Sequence, residues 1–315
     1  MQETYTNNRS NDFDDEIDLR ELFYVLLDGK WIIVSIIAFV STIGVIFSLL
    51  LPDIYESKAK LVSVNLSGSS GGGLGGYSGL ASLAGVNLPT IGANDNSIKA
   101  MQKIGSLSFF ENNILPNIYL PDLMAFKSWD SKANKAIYDE SIYDTKNDAW
   151  IRDYSYPQQQ IPSAQESFEL FNTKHLFYSE DKKSGFITLS IKHQSPFIAK
   201  EWAELVIKEI NAFYRQKDKL DSEKSVNYLN QQISITSLSE VKQAIAQLLQ
   251  EEIQRLTLIE SNEYYVFEYV DPPAVMEKKL EPKRGLILIF SAILGAILSI
   301  IIVLMNHYVF KEKVT

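Results

Sequence analysis

The residues of this 315-residue chain that most often carry catalysis or bind metals do not have the spacing of a known site. His175, His193 and His307 lie far apart in the sequence, and none is part of an H-E-x-x-H motif or another ligand spacing. We therefore interpret them as surface or strand histidines. The chain has no cysteine, which excludes disulfides and thiolate metal sites. The sequence thus predicts no metal and no cofactor.

Carboxylates and glycines also give no catalytic pattern. The pair Asp218 and Asp221 lies in a polar run of helical character, where solvated faces are far commoner than acid/base pairs. The stretch 67–85 is rich in glycine and serine, and we expect a mobile loop. It lacks the Lys-Ser/Thr of a P-loop and the G-x-G-x-x-G spacing of a dinucleotide turn. G-x-S-x-G, Walker A and kinase motifs are absent as well, so we expect a protein that is not an enzyme.

Two uncharged apolar runs, 31–51 and 285–305, determine how the rest of the chain is organised. A helix of about 20 apolar residues crosses a bilayer core of roughly 30 Å, so both runs are predicted to span a membrane. The segment 1–30 is acidic, unlike the basic start of a signal peptide, and we expect the first span to be retained. With two spans, both termini lie on one side and the domain 52–284 lies on the other. A short tail, 306–315, follows the second span.

Local charge does not decide which side is which. More basic residues flank the spans on the domain side than at the termini, and this count alone places the large domain in the cytoplasm. The positive-inside rule is weak for long translocated loops, however. The net charge of −9, without a basic patch, argues against nucleic acid as a partner.

Small residues recur along one face of each span. Since small residues let membrane helices approach closely, the two spans are predicted to pack on each other or on the helices of a partner. Neither span contains an ionisable residue, so neither has the usual mark of an ion or substrate pathway. The helix-packing candidates are Ser41, Gly44 and Ser48 in the first span, and Ser291, Gly295 and Ser299 in the second.

The domain between the spans alternates strand and helix patterns, and the predicted fold class is α+β. Strands are predicted at 54–66 and 264–270, and a β-hairpin at 174–178 and 185–192. A helix is predicted over 94–113, where apolar residues recur at helical spacing.

A long helical region is predicted to begin at Ser195-Pro196, with serine as the cap and proline in the first turn. Its first part carries an apolar stripe that includes Trp202 and Ile210, and it then becomes polar on almost all sides. Ser237 and Glu240 have the spacing of a capping box for a second helix, which makes a helical hairpin over about 196–260. A polar helix of this kind extends beyond the core of its own domain, and we expect it to need packing against neighbouring molecules.

Several segments together carry a family resemblance that covers essentially the full length. They are Glu16-Ile17-Asp18-Leu19 before Lys30-Trp31, the run 79–85 in the glycine stretch, 187–191 before Ser195-Pro196, and Asp271-Pro272-Pro273-Ala274 to Pro282-Lys283, with Gly295 in the membrane. The chain resembles the polysaccharide co-polymerases, also called chain-length determinant or Wzz-type proteins. It departs from the family pattern at Glu281, where serine is frequent, and at Ser299, where an acid is frequent. No fused tyrosine-kinase domain is expected.

The resemblance implies a bacterial inner-membrane protein with both termini in the cytoplasm and a periplasmic main domain, against the local charge count. It also implies a membrane-proximal α/β base, a long extended helix and a ring-like homo-oligomer, for which an octamer is the family expectation. Such proteins are non-enzymatic scaffolds that set how many repeat units a partner polymerase adds to O-antigen lipopolysaccharide or a related glycan. The expected partners are that polymerase, the growing glycan and the lipid bilayer. Candidates for polymerase contact are Pro272, Pro273, Pro282 and Lys283, together with the small residues of the spans.

Other functions are also consistent with the same topology. A two-span adaptor or sensor would share the topology and leave glycan untouched, and part of a polysaccharide export assembly is a further alternative. A membrane-tethered glycan enzyme would need acidic or histidine side chains converging in a pocket, and the sequence shows no such spacing.

Overall fold

The computed structural model of the chain describes residues 19–64 and 93–307. The acidic N-terminal segment before residue 19, the glycine-rich stretch 67–85 and the end of the chain after residue 307 lie outside the described residues. The chain divides into two compact units. One contains the N-terminal part as far as Pro52 and the C-terminal part from Glu281, and the other runs from Asp53 to Leu280.

Helices and strands alternate along the described residues, which confirms the predicted α+β class. The helices are α1 Leu19–Asp28, α2 Lys30–Leu50, α3 Ala93–Ile104, α4 Leu107–Phe109, α5 Leu120–Met124, α6 Ala164–Leu170, α7 Pro196–Ile235, α8 Ser239–Ser261 and α9 Arg284–Met305. The strands are β1 Tyr55–Ser63, β2 Phe126–Asp130, β3 Lys135–Tyr138, β4 Tyr143–Asp144, β5 Ala149–Trp150, β6 Leu176–Glu180, β7 Ile187–His193 and β8 Phe267–Asp271. Single π-helical turns, Phe110–Ile114 and Phe171–His175, follow α4 and α6.

The largest sheet has the strand order β6-β7-β1-β8, and each neighbouring pair is antiparallel. The predicted hairpin is confirmed, because Leu176 of β6 pairs with Ile191 of β7 and Glu180 pairs with Ile187. Two smaller hairpins, β2 with β3 and β4 with β5, lie between α5 and α6 along the chain. Their strands were not predicted.

The core forms where the first turns of α7 cover this sheet. Trp202, Val206 and Ile210 on α7 are buried, as the predicted apolar stripe requires, and they belong to one cluster with Leu61 of β1 and Leu189 of β7. Burying one such side chain contributes about 1.5–3 kcal/mol. The base of the long helix is therefore fixed to the sheet by its apolar face.

Helix α7 has 40 residues, so it is about 60 Å long at 1.5 Å per residue. Pro196 is in its first turn, as predicted, but the Ser195 side chain makes no capping hydrogen bond. The Ser195 backbone N–H instead donates to Nδ1 of His193 at 3.0 Å. The start of the helix is thus held by the preceding strand rather than by a serine cap.

Helix α8 begins later in the sequence than the predicted capping box requires. The predicted capping box does not form, because α8 begins at Ser239 and Leu238 occupies the cap position. The reason is that the last turn of α7 extends to Thr236, whose N–H donates to the Gln232 carbonyl at 3.1 Å. Ser237 is therefore used in the connection.

The predicted helix over 94–113 is interrupted after Ile104. Gly105 follows, and a Cβ at this position would lie 2.3 Å from the hydroxyl of Tyr178. Ser106 then caps a new helical start, since its side chain accepts a hydrogen bond from the Phe109 N–H at 3.3 Å. The break turns Phe109 and Phe110 into the core, where both are fully buried.

Candidate functional site

The unit that contains the chain's two ends is built on two helices, α2 and α9, which are long and apolar enough to cross a membrane. They pack against each other along the faces that carry small residues. A Cβ at Gly44 would lie 2.5 Å from Oγ and 2.6 Å from Cβ of Ser291. Real Cβ atoms do not come this close, so glycine permits the contact.

Two further close approaches extend this interface between α2 and α9, which we call the seam, along both helices. A Cβ at Gly295 would lie 3.0 Å from Cα of Ile37 and 3.2 Å from Cβ of Val40. A Cβ at Gly29, between α1 and α2, would lie 2.7 Å from Cγ1 of Val303. Contacts early in α2 therefore match positions late in α9, and the two helices are antiparallel.

The serines of the seam act mainly as small residues. Ser291 Oγ donates to the Leu288 carbonyl at 2.9 Å, and Ser299 Oγ donates to the Ala296 carbonyl at 2.7 Å, both within α9. Bonds of this kind satisfy a hydroxyl inside its own helix. Ser48 is buried, and its Oγ has no hydrogen-bond partner among the described residues, whereas Ser41 is half-buried.

Large apolar side chains cover the outer faces of the two helices. Phe39 and Phe47 on α2, and Phe290 and Leu294 on α9, are more than half exposed. The small-residue stripes are thus occupied by packing within the chain, and the outer faces are the surface that lipid or the helices of a partner would contact.

The proline-rich segment after β8 runs back along the start of β1. Ser57 Oγ donates to the Ala274 carbonyl at 2.8 Å, and the Leu280 N–H donates to the Ile54 carbonyl at 2.8 Å. An ion pair joins Lys279 Nζ to Asp53 Oδ1 at 2.7 Å. These contacts fix the segment against the strand that begins the domain.

The four proline-motif candidates differ in accessibility. Pro273 is buried, whereas Pro272 is exposed. Pro282 is half-buried, and Lys283 is exposed immediately before the first residue of α9. Among these, Pro272 and Lys283 offer the most surface to a partner.

His193 is the last residue of strand β7, but it is buried, and His175 lies beside it although the two are far apart in the sequence. The ring centroids of His175 and His193 are 5.4 Å apart, and both rings pack against Trp202. His193 Nε2 donates to the Asp122 carbonyl at 3.1 Å, since Nδ1 accepts from Ser195. Burial, and to a smaller extent the charge of the neighbouring His175, lower the pKa of His193 to about 3.

The same environment keeps His175 neutral. Burial lowers the pKa of His175, although its Nδ1 donates to the Lys192 carbonyl at 2.7 Å. The register of the predicted hairpin could have revealed this proximity. Leu176 pairs with Ile191, so residue 175 lies beside residues 192 and 193. No group of three histidine, aspartate or glutamate residues in the described part of the chain could hold a metal ion.

The segment from α5 to α6 forms a lobe rich in tyrosine and tryptophan, and only this composition is evident from the sequence. The Tyr143 hydroxyl donates to Oδ1 of Asp148. The Tyr119 hydroxyl lies within hydrogen-bond distance of both the Tyr143 oxygen and Asp148 Oδ1, and it donates to one of them. Tyr138 donates to Asp122 Oδ1 at 2.7 Å. Burial and this hydrogen bond raise the pKa of Tyr138, so the hydroxyl remains protonated.

Comparison with known proteins gives one family match and several structural similarities. Residues 15–104 match the family model described as Wzz, chain length determinant protein. A solved structure described as a full-length bacterial polysaccharide co-polymerase is 14% identical, with a TM-score of 0.42, and the match covers 93% of this chain and 99% of that one. A fragment of WzzB, a polysaccharide co-polymerase from Salmonella Typhimurium, is 14% identical, with a TM-score of 0.30, and the match covers 73% of this chain and 100% of that one. Comparison with curated proteins gave no match.

Proposed function

Because the resemblance to the Wzz-type chain length determinants is confirmed over residues 15–104, we propose that this protein regulates the chain length of a surface polysaccharide. The glycan is O-antigen lipopolysaccharide or a related polymer, and a partner polymerase makes the bonds. The protein acts as a scaffold and is not an enzyme. The family match carries this proposal, since it spans the first membrane helix and the first strand of the domain.

The proposed location is the bacterial inner membrane, with both termini in the cytoplasm and the main domain in the periplasm. Two candidate spans support a two-pass topology, because an even number of crossings returns the chain to its starting side. The absence of cysteine makes the test direct. A cysteine introduced at Ser131, which is exposed in the turn between β2 and β3, should react with a membrane-impermeant maleimide in spheroplasts. Lys313→Cys should react only after lysis, and the reverse pattern would overturn the proposal.

The proposed assembly is a ring-like homo-oligomer held partly by the long helices. Leu220 on α7 and Leu248 on α8 are 44% and 50% exposed, and other large apolar side chains of the two helices, among them Tyr228 and Ile253, are exposed as well. Leu220 and Phe213 line an open groove of about 510 Å³ along α7. An exposed apolar side chain beside such a groove is typical of a surface that a neighbour covers.

The oligomer is testable by native mass spectrometry of the protein in detergent. Leu220→Lys and Leu248→Lys should lower the population of the full assembly, because each places a charge in an apolar contact. Gln250→Lys adds the same charge at an exposed polar position of α8 and serves as the control. An unchanged assembly in both leucine variants would exclude these helices as the interface.

Contact with the polymerase is assigned to the outer faces of α2 and α9 and to the exposed residues of the proline-rich segment. Lys283 is the sharpest probe of that segment, because it is exposed and immediately precedes α9. Lys283→Glu should shift the preferred glycan length without changing insertion or assembly. Lys278→Glu makes the same charge change at another exposed position of the segment and tests whether the effect is local.

Deletion of the gene in its native host, with electrophoresis of the surface polysaccharide, tests the function as a whole. Long polymer without a preferred length is the expected result. Loss of all polymer would instead favour a part in an export assembly. An unchanged ladder would favour a two-span adaptor or sensor.

A further inference from the structure

Arg152 closes a surface loop, residues 152–160, that we call the Tyr loop. Its Nε donates to the Gln160 carbonyl at 3.0 Å and its Nη2 to the Gln159 carbonyl at 2.6 Å. Its Nη1 donates to Oε2 of Glu166, on α6, at 2.6 Å. One guanidinium therefore joins both ends of the loop and fixes them to a helix, so the loop's shape is set before any ligand arrives.

The Tyr loop presents two tyrosine side chains to solvent. Tyr156 is 97% exposed and Tyr154 is 55% exposed. The Gln158 N–H donates to the Ser155 carbonyl at 2.9 Å, which places Tyr156 inside a tight turn. Tyrosine offers an apolar ring face and a polar hydroxyl at a small cost in side-chain entropy, which is why it is enriched in binding loops. Two exposed tyrosines on a loop that Arg152 holds in place indicate a binding surface.

A cavity of about 400 Å³ adjoins the loop. Small-molecule sites enclose roughly 300–1,000 Å³, so this volume accommodates a single sugar residue. Met124, Ile142 and Pro162 give it an apolar lining, and Ser141 and Asp153 add a hydroxyl and an exposed carboxylate. Sugar rings need both, because their C–H faces pack on apolar side chains while their hydroxyls form hydrogen bonds.

The charge of this surface selects the type of sugar. The only basic side chain of the loop, Arg152, is paired with Glu166, whereas Asp153 carries a negative charge. Residues 153–162 include no lysine or arginine that would attract a polyanion. The surface therefore suits a ligand rich in hydroxyls and without negative charge.

We infer that the Tyr loop and the adjoining cavity bind an uncharged sugar residue of a glycan chain. The inference rests on the proposed function, which places the protein beside a growing polysaccharide. Tyr154 and Tyr156 stack on sugar faces, and Asp153 accepts hydrogen bonds from sugar hydroxyls. The protein would then contact the polymer itself in addition to the polymerase.

Binding is measured with the full-length protein in detergent and oligosaccharides released from the host's own surface polysaccharide. Saturation-transfer NMR and titration should detect binding by the native protein. Tyr156→Ala and Asp153→Asn should each weaken it about tenfold, which corresponds to 1.4 kcal/mol. Tyr156→Phe keeps the ring face and should bind nearly as well as the native protein. Glu169→Gln removes an acid on the exposed side of α6 and should have no effect.

The outcomes separate this site from the function on which it rests. Native binding that Tyr156→Ala and Asp153→Asn leave unchanged would overturn the site, whatever gene deletion shows for chain length. Tighter binding of polygalacturonate, a polyanion, would overturn the assignment of an uncharged ligand. A photo-crosslinking residue in place of Tyr156 that attaches to a protein and not to glycan in cells would show a protein-binding loop instead. Loss of polysaccharide binding in the variants, together with an unchanged ladder after gene deletion, would support the site and contradict the proposed function.

Discussion

Asn211 and Phe267 are hydrogen-bonded in both directions, side chain to backbone. Nδ2 of Asn211 donates to the Phe267 carbonyl at 3.0 Å, and its Oδ1 accepts from the Phe267 N–H at 2.9 Å. The same Oδ1 also accepts from the N–H groups of Val266 and Tyr265, at 2.7 Å and 3.3 Å. One buried amide on α7 therefore holds the chain where it returns from the helical hairpin and enters β8.

Replacing Asn211 should destabilise the domain strongly. Asn211→Leu leaves backbone donors at Val266 and Tyr265 without their partner in a buried place, at a cost on the order of 2–4 kcal/mol. Denaturation in detergent, followed by circular dichroism, measures the change. Asn227→Leu, at an exposed position of the same helix, should change stability by less than about 0.5 kcal/mol. Equal effects of the two substitutions would show that the Asn211 bonds contribute nothing specific.

The buried histidine pair should make the domain sensitive to acid. The pKa of His193 is about 3 in the folded chain and about 6.5 in an unfolded one, so below pH 6.5 the unfolded chain binds the additional proton. The contribution of neutral His193 to the free energy of unfolding is therefore fully present above about pH 6.5 and is lost as the pH falls toward 3. His175, whose pKa is also lowered, adds to the slope in the same direction.

The test compares unfolding of the native protein and of His193→Gln between about pH 7 and pH 4. A single histidine contributes at most about 1.4 kcal/mol per pH unit, so the variant should lose stability less steeply on acidification. The variant will be less stable at pH 7, because glutamine does not reproduce both ring contacts. Parallel curves at all pH values would contradict a neutral buried His193.

Local sequence patterns predicted the features that depend on neighbouring residues. The apolar runs have the length of membrane helices, Pro196 begins α7, and the alternating residues on either side of the polar connection 181–186 form the β6-β7 hairpin. Each depends on periodicity or on turn chemistry within a few residues. The predicted bounds are accordingly close to the observed ones.

Features that depend on distant residues were not predictable in this way. Asn211 contacts a segment more than fifty residues later, and nothing in its own helix marks it as different from other polar positions. The end of α3 at Gly105 depends on Tyr178, which arrives from another strand. The seam between the two spans was predictable only in part. The sequence identified the small residues, whereas the pairing of Gly44 with Ser291 is evident only from the structure.

Enlarging Gly295 should disturb the pairing of the two spans. Gly295→Leu places a side chain where the Cα of Ile37 lies only 3.0 Å from the Cβ position, so α2 must move, at a cost of about 1–3 kcal/mol. Lower thermal stability in detergent and loss of the preferred glycan length are expected, with the protein still inserted. Gly285→Leu is the matched control in the same helix, because no atom lies within 4 Å of its Cβ position. Normal glycan length and stability for Gly295→Leu would show that the close approach is not needed.

Removing the guanidinium of Arg152 should loosen the Tyr loop without unfolding the domain. Arg152→Lys keeps the positive charge, but a single ammonium group cannot bond the Gln159 and Gln160 carbonyls and Glu166 with the geometry of the planar fork. Losing these charged hydrogen bonds costs about 1.5–3 kcal/mol each, so chymotrypsin should cleave after Tyr154 or Tyr156 at least about tenfold faster. Lys146→Ala, at an exposed position of the same lobe, should leave the cleavage rate unchanged. If Arg152→Lys is cleaved no faster than the native protein, the loop is held by other contacts and its tyrosines are not pre-positioned by Arg152.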